Sequence, residues 1–214
     1  MTYDEIVQHV VQARFKGSQV PQIRRWVDYR YSKIWAHADW PWKLVSGAPI
    51  SVVAGSPAPV LPSGVARPRY VYDENGGALN QMTSEAFDSY FGGSGTGNPG
   101  SWKWENGVLT LGPTPAAATT LKLTYDRAIA HRDAAGLVIV DGSMDADQDL
   151  PAWDNREFDY ILVPGAIATG LKEENDPTWR DLEEEFQFGN QDMIEYYLPS
   201  IAAYGNVQYG ADAL

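Results

Sequence analysis

The chain has 214 residues, of which 44% are hydrophobic and 21% charged, and its net charge is −12. This composition excludes wholesale disorder, and a chain of this length can bury about 70% of its unfolded surface. The absence of cysteine excludes disulfides, thiolate metal sites and cysteine nucleophiles, and it favours assembly in a reducing cytosol.

The negative charge is concentrated toward the C-terminal end of the chain. Residues 141–214 contain three Lys or Arg against seventeen Asp or Glu, whereas residues 1–45 contain seven against four. Because an acidic surface repels phosphate backbones, we expect no specific binding of nucleic acid. Two interpretations remain open: an acidic helix face exposed to solvent, or the wall of a channel through which DNA slides without sticking.

The beginning of the sequence, MTYDEIVQHV, is polar and acidic, unlike the basic and then apolar pattern of a signal peptide. No apolar run approaches the ~18 residues that a membrane-spanning helix needs. We therefore expect a soluble protein that is not exported through a signal sequence and has no contact with a membrane.

Two amphipathic helices are predicted within residues 1–43. Thr2 and Glu5 form a capping box at the start of the first helix, which should end near Phe15. Pro21 suits the first turn of the second helix, which should end before Pro41. The second helix has an apolar stripe that comprises Ile23, Trp26, Val27, Tyr31, Ile34, Trp35 and Ala38. Its opposite face is basic and comprises Arg24, Arg25, Arg30 and Lys33.

Residues 44–148 change to short β-prone runs separated by Gly, Pro, Asn and Ser, which predicts an inserted antiparallel sheet or sandwich. Asn106-Gly107 predicts a tight hairpin turn, because both turn positions need a positive φ. Trp102 and Trp104 alternate onto the same face of one strand, so one surface of the sheet should be aromatic. The candidate strands are Ile50–Val53, Arg69–Tyr72, Trp102–Glu105, Val108–Leu111, Thr120–Tyr125 and Leu137–Val140. A short helix is predicted at Thr83–Phe91 and a flexible loop at Gly92–Gly100.

The helical period returns in residues 149–198. A third helix follows Pro151, and Pro164 should kink it. A fourth helix begins with Asp176 as its cap, and Gly189 on its apolar stripe should allow a neighbouring helix to approach closely. The apolar stripes are Phe158, Ile161, Leu162, Ala166 and Thr169 in the third helix, and Trp179, Leu182, Phe186, Gly189 and Met193 in the fourth. The remaining residues, 199–214, have no helical period and should form an arm that is either disordered or docked on a partner.

The sequence offers little catalytic or metal-binding chemistry. His9, His37 and His131 fall in separate elements without the HExxH spacing of a zinc site. No GxSxG motif, P-loop or Rossmann fingerprint occurs. We therefore predict no enzymatic activity, no catalytic residue and no cofactor or metal site.

One acidic run, Asp141–Asp149, superficially resembles a metal site. Asp145, Asp147 and Asp149 follow the opening of a calcium-binding loop, but Leu150 stands where that loop needs Gly, and the bidentate Glu is missing. A solvated acidic linker is the favoured interpretation.

The chain is rich in aromatic residues, with eight Trp and twelve Tyr. One interpretation is a stacking platform for sugar rings, which would make the β insertion a carbohydrate- or receptor-binding module; its residues would be Trp40, Trp42, Trp102 and Trp104. The favoured alternative places other tryptophans in the core of a helical bundle, namely Trp26, Trp35, Trp153 and Trp179. The remaining tryptophans would then anchor the helix-to-sheet junction or a protein interface.

In this order, the elements resemble the head-to-tail adaptor proteins of tailed bacteriophages. The resemblance is carried by the Arg- and aromatic-rich helix that ends in ADWPW, the β segments VLTLGPTP and LKLTYDRA, and the stretch DQDLPAWDNREFDYILVPGAIATGLKEENDP. It spans roughly residues 1–200 and is greatest to the larger kind, tail tubular protein A of short-tailed phages, which adds a β domain to the helical bundle. The expected fold is α+β: an antiparallel bundle of about four helices with an inserted antiparallel β-sheet or sandwich and an extended C-terminal arm.

The resemblance implies a structural virion protein at the head-tail junction, assembled in the host cytoplasm. Such adaptors bind the portal protein, form a homo-oligomeric ring of about twelve copies and prolong the DNA channel. DNA would pass during genome ejection without specific binding. The β insertion, with Trp102 and Trp104, would face the next tail component, a nozzle, stopper or tail tube protein.

Two sets of residues fit the role that the resemblance implies, the second of them on charge alone. The arm that docks on the portal comprises Ile201, Tyr204, Val207, Tyr209 and Leu214. The basic face of the second helix would meet the acidic face of the fourth helix in a neighbouring copy, which comprises Asp181, Glu183, Glu184 and Glu185. Such a head-to-tail contact between different faces can close into a ring.

Overall fold

A computed structural model of the chain describes residues 1–92, 95–139, 144 and 146–199. It shows a mixed α+β fold, as the sequence predicts. The chain forms two compact units. The helical unit comprises Met1–Pro41 and Ile129–Leu214, and the β unit comprises Trp42–Ala128.

The described residues form five α-helices: α1 (Tyr3–Ala13), α2 (Val20–His37), α3 (Ser84–Phe91), α4 (Leu162–Glu173) and α5 (Trp179–Tyr197). Short 3-10 helices span Gly17–Gln19, Pro41–Lys43 and Arg156–Ile161. The longer strands are β1 (Leu44–Val52), β2 (Val65–Tyr72), β5 (Ser101–Glu105), β6 (Val108–Gly112) and β8 (Thr119–Arg127). Two-residue strands are β3 (Asn80–Gln81), β4 (Thr96–Gly97), β7 (Thr114–Pro115), β9 (His131–Arg132) and β10 (Val138–Ile139).

The capping box predicted at the start of α1 is present. The Glu5 backbone N–H donates to Thr2 Oγ1 at 3.3 Å, and the Thr2 N–H donates to Glu5 Oε2 at 2.8 Å. These bonds satisfy two of the donors that a helix start leaves without a partner. The apolar stripe predicted for α2 is also buried, except for Ala38. Ala38 is the C-cap residue of the helix and is half-buried. The core of the helical unit includes Ile6, Val10, Ile23, Trp26, Tyr31, Ile34, Trp153, Leu162, Ala166, Leu171, Phe186 and Met193.

Pro164 does not lie in the interior of α4, where a proline kinks a helix. The α-helix begins at Leu162, so Pro164 lies in its first turn, where its missing N–H leaves no bond unmade. Asp176 is not the N-cap of α5, which is Thr178, although its Oδ1 accepts the Thr178 N–H at 3.0 Å just before the helix. Gly189 allows the close approach that the sequence predicts, since a Cβ there would lie 2.7 Å from Ile161 Cγ1 in the preceding 3-10 helix.

The chain from Ile129 onward groups with the helices, although the sequence places the β insertion as far as residue 148. β9 and β10 pair with each other, and Arg132 also pairs with Leu150. The Tyr31 hydroxyl of α2 donates to the Ala130 carbonyl, which ties this segment to the helical unit. Hydrophobic pattern alone cannot show this, because a short β pair has the same alternation in either unit.

The β unit is built around two three-stranded sheets. One has the strand order β1-β8-β2 and is antiparallel throughout, while the other has the order β3-β5-β6. The β3-β5 and β4-β7 pairs are parallel, which the predicted antiparallel insertion did not include. The core of the unit comprises Ile50, Val52, Val71, Leu79, Trp102, Leu109, Leu111, Leu121, Leu123 and Tyr125.

The hairpin between β5 and β6 confirms the prediction made from Asn106-Gly107. Asn106 has a φ of 49° and Gly107 a φ of 80°, and Glu105 pairs directly with Val108 across the turn. Both central residues thus adopt the left-handed conformation that this turn type requires. The predicted short helix is α3, which Thr83 caps by accepting the Ala86 N–H.

Candidate interaction surfaces

The basic face predicted on α2 divides into paired and exposed cations. Arg24 pairs with Asp147 and lies 3.9 Å from Asp4, and Arg30 pairs with Glu183, all within one chain. The predicted contact between copies is therefore wrong for Arg30 with Glu183, since their opposite charges meet between α2 and α5 of the same helical unit. Arg25 and Lys33 remain exposed on α2.

Arg30 connects three helices. Its Nη1 and Nη2 donate to Glu183 Oε1 and Oε2 of α5 at 2.9 and 2.6 Å, and its Nε donates to Thr169 Oγ1 of α4 at 2.7 Å. The guanidinium also lies 4.8 Å from the Phe186 ring centroid. Only 7% of Arg30 is exposed. A two-pronged arginine-carboxylate pair of this kind combines charge with fixed geometry.

The Arg30–Glu183 pair should make stability depend on acid pH. Burial of the Glu183 carboxylate opposes its ionisation, but the hydrogen bonds and charge of Arg30 outweigh this and lower the pKa of Glu183. The resulting stabilisation is present above the ordinary glutamate pKa of about 4.3 and is lost as the pH falls through the lowered value. In urea unfolding at pH 7 and at acid pH, Glu183→Gln should lose less stability between the two conditions than the unchanged chain does. An equal loss in both proteins would contradict this prediction.

The exposed face of α5 is acidic and includes two large aromatic rings, Phe188 and Tyr196. Asp181, Glu184 and Glu185 are all exposed. Phe188 follows them on the same helix with 64% of its surface exposed. Phe188 is absent from the apolar stripe predicted for this helix, and its position outside that stripe is the one sequence signal that could have drawn attention to it.

A groove of about 600 Å³ lies among α2, α4 and α5. Aromatic side chains of α2 and α5, Tyr29 and Trp179, line it together with the buried Trp26. Arg25 and Lys172 supply exposed cations, and the Lys172 Nζ lies 4.9 Å from the Trp179 ring centroid. The Arg30–Glu183 pair also lines the groove. This arrangement suits an apolar or aromatic group that is flanked by negative charge.

The exposed aromatic surface predicted for the β unit does not include Trp102. Trp102 and Trp104 do share one face of β5, but this face packs on the core, where Trp102 is 1% exposed and Trp104 is half-buried. The predicted tail-facing role of Trp102 is therefore wrong, and the same burial removes it from a sugar-stacking platform. Trp40 is also 1% exposed and donates its indole N–H to the Ile34 carbonyl.

The acidic residues that resemble a calcium loop have other contacts. Asp147 pairs with Arg24, and the Asp149 side chain accepts the Ala146 N–H at 2.8 Å while lying 3.4 Å from His131 Nε2. Asp145 lies outside the described residues. Within the part of the chain that the structure describes, no group of three or more His, Cys, Asp or Glu could hold a metal ion.

The end of α5 is anchored before the predicted arm begins. Tyr197 donates its hydroxyl to Asp154 Oδ1 at 2.6 Å and accepts the Asn155 N–H at 3.0 Å. Burial and the hydrogen bond to Asp154 raise the pKa of Tyr197 to about 12. All five residues predicted to dock on the portal lie outside the described residues: Ile201, Tyr204, Val207, Tyr209 and Leu214.

Comparison with known proteins identifies one family. The model of the SU10 adaptor protein family matches residues 1–177, which is most of the chain and includes segments of both units. No curated protein matches the sequence. Among the described helices, none combines the length and the apolar character needed to cross a membrane.

Proposed function

Because this chain belongs to the SU10 adaptor protein family, a family of phage head-to-tail adaptors, we propose that it binds the portal protein as a homo-oligomeric ring. The family makes it a phage structural adaptor and a component of the virion. The ring, of about twelve copies, would extend the DNA channel and form the platform for the next tail component. The family match is the single observation on which this proposal mainly rests, and a helical unit with an added β unit is the layout of tail tubular protein A-like adaptors.

Complementary charges in the helical unit support a contact between copies. Arg25 and Lys33 of α2 are exposed and carry positive charge, while Asp181, Glu184 and Glu185 of α5 are exposed and carry negative charge. Contacts between two different faces of one protein generate rings when the rotation closes. The predicted lateral pairing is thus retained for these five residues, with Arg24, Arg30 and Glu183 removed from it by their contacts within the chain.

The acidic C-terminal region supports passage of DNA without binding. Residues 141–214 carry seventeen acidic against three basic residues, and an anionic surface repels the phosphate backbone. The arm residues from Ile201 to Leu214 remain the proposed portal contact, with Tyr204 and Tyr209 as its aromatic anchors. The β unit remains the proposed platform for the tail.

The direct test is negative-stain microscopy of this chain mixed with the portal protein of the same phage. We expect a ring of added density at one end of each portal. A parallel sample that lacks residues 201–214 should leave the portals bare, because the proposed docking arm is missing. Bare portals with the full chain would overturn the proposed function, whereas rings formed by both samples would overturn only the role of the arm.

The double substitution Arg25→Glu and Lys33→Glu should weaken ring formation, since it places acidic groups on both proposed faces. The matched control is the double reversal Arg67→Glu and Lys122→Glu, at exposed positions of β2 and β8 in the β unit. Complete rings should become rare for the α2 variant and stay frequent for the control, as counted in micrographs. Equal ring frequencies would reject the charge pairing.

A further inference from the structure

Phe188 is an apolar side chain in an acidic, exposed setting. It lies three and four residues after Glu185 and Glu184 on α5, so both carboxylates are its neighbours on the helix surface. All three residues are exposed, and Phe188 is 64% exposed. A monomer gains nothing by holding a phenyl ring in water among carboxylates. A partner surface that combines an apolar pocket with positive charge would bury the ring and attract the carboxylates, and both contacts would favour binding.

The groove among α2, α4 and α5 has the complementary chemistry. Tyr29 and Trp179 give it aromatic walls, and Arg25 and Lys172 give it exposed cations. Tyr29 is itself 47% exposed and lies beneath Lys33, whose Nζ is 5.3 Å from the ring centroid. Glu173, the exposed carboxylate in the lining, accepts a hydrogen bond from Gln22 at 2.7 Å, while Glu183 is paired with Arg30.

Phe188 and the groove face away from each other in one copy. Trp179 lines the groove, and the chain from Trp179 to Phe188 makes about 2.5 turns of α5, which places the two side chains on opposite sides of the helix. Phe188 therefore cannot enter the groove of its own chain. A projecting ring on one side and a receptive groove on the other are the elements of a head-to-tail contact between copies.

We propose that Phe188 of one copy inserts into the groove of the next copy, between Tyr29 and Trp179. Glu184 and Glu185 then face Arg25 and Lys172 across the contact. The inference rests on the proposed ring and specifies its lateral interface. It also explains why α5 exposes an aromatic ring among its acidic residues, since the ring supplies apolar burial and the carboxylates fix the orientation.

The first test compares Phe188→Ala with Tyr90→Ala, an equally drastic truncation of a 78% exposed ring on α3 of the β unit. Rings on the portal are counted by microscopy over a range of adaptor concentrations. Phe188→Ala should require at least about tenfold more protein for half-occupied rings, which is the usual effect of losing a central aromatic anchor. Tyr90→Ala should leave the concentration unchanged. Circular dichroism of both variants checks that they fold.

The second test uses the absence of cysteine from the chain. The double variant Phe188→Cys/Tyr29→Cys should form a ladder of disulfide-linked copies on portals under mild oxidation, because the two positions meet only between neighbours. The control Phe188→Cys/Tyr90→Cys should give no ladder, since bridged cysteines need Cα atoms within about 7 Å. If the unchanged chain forms rings while Phe188→Ala behaves normally and no ladder appears, the inference is overturned and the proposed function stands. If the unchanged chain forms no ring, the inference about Phe188 and the proposed function are both overturned.

Discussion

Replacing Arg30 with alanine is expected to lower the free energy of unfolding of the helical unit by about 3–5 kcal/mol, the usual cost of removing one partner from a buried ion pair. Arg30 is 7% exposed and holds Glu183 and Thr169 from two other helices by hydrogen bonds of 2.6–2.9 Å. The substitution leaves the half-buried Glu183 carboxylate without its charge partner. It also removes the packing of the guanidinium on Phe186.

Two further substitutions make the Arg30 measurement specific. Lys33→Ala, at an exposed position of the same helix, should change stability by no more than about 0.5 kcal/mol. Arg30→Lys retains the charge but cannot reproduce the two-pronged geometry, so its stability should lie between those of Arg30→Ala and the unchanged chain. Urea unfolding followed by far-UV circular dichroism gives these values. If Arg30→Ala were as stable as Lys33→Ala, the contacts of Arg30 with the two other helices would contribute nothing to the free energy of unfolding.

Local sequence patterns predicted the helices and the central hairpin well because short-range chemistry determines them. Thr2 and Glu5 satisfy the backbone of their own helix, and Asn106-Gly107 determines its own turn. The apolar stripe of α2 follows from helical period alone. Pro164 shows the limit of this approach. A proline disturbs a helix when it lies in the interior but not when it lies in the first turn, and the sequence pattern does not fix the helix start closely enough to separate the two cases.

The partners of charged side chains were beyond prediction from one sequence. The basic face of α2 and the acidic face of α5 attract each other equally whether they belong to one copy or to two. The fold places Arg30 beside Glu183 of the same chain but leaves Arg25, Lys33, Glu184 and Glu185 exposed. Only the three-dimensional packing separates the pair that stabilises the fold from the charges left for an interface.

The same limit applies to aromatic residues. Phe188 and Tyr29 lie outside the apolar stripes of their helices, so period alone excludes them from the core without assigning them a role. In the β unit, alternation placed Trp102 and Trp104 on one face of a strand but could not show whether that face meets solvent or a second layer. Trp102 and Trp104 pair with Leu111 and Leu109 of the same sheet, but the core also includes residues of the other sheet, such as Leu121 and Leu123, which the pattern of one strand does not place.

Because Trp102 belongs to the core, Trp102→Ala should destabilise the β unit by about 3–5 kcal/mol, the range for truncating a buried aromatic side chain. Its 1% exposure means that nearly all of the indole contacts are lost and a cavity remains. Hydrogen exchange followed by mass spectrometry should show lost protection in β5, β6 and β8. A residue whose role was to contact the tail would instead leave exchange in the isolated protein unchanged.

Trp102→Phe and Val108→Ala complete this comparison. Among the described residues, the Trp102 indole N–H has no hydrogen-bond partner, so phenylalanine loses volume but no bond and should cost clearly less than alanine. Val108 lies on the partner strand and is 48% exposed, and its truncation should change stability by no more than about 0.5 kcal/mol. A core role for Trp102 requires one ranking of the three variants. Trp102→Ala should be the most destabilising, Trp102→Phe intermediate and Val108→Ala the least. If Trp102→Ala were no more destabilising than Val108→Ala, Trp102 could not be a core residue, and the β5 face would again be a candidate surface for the tail.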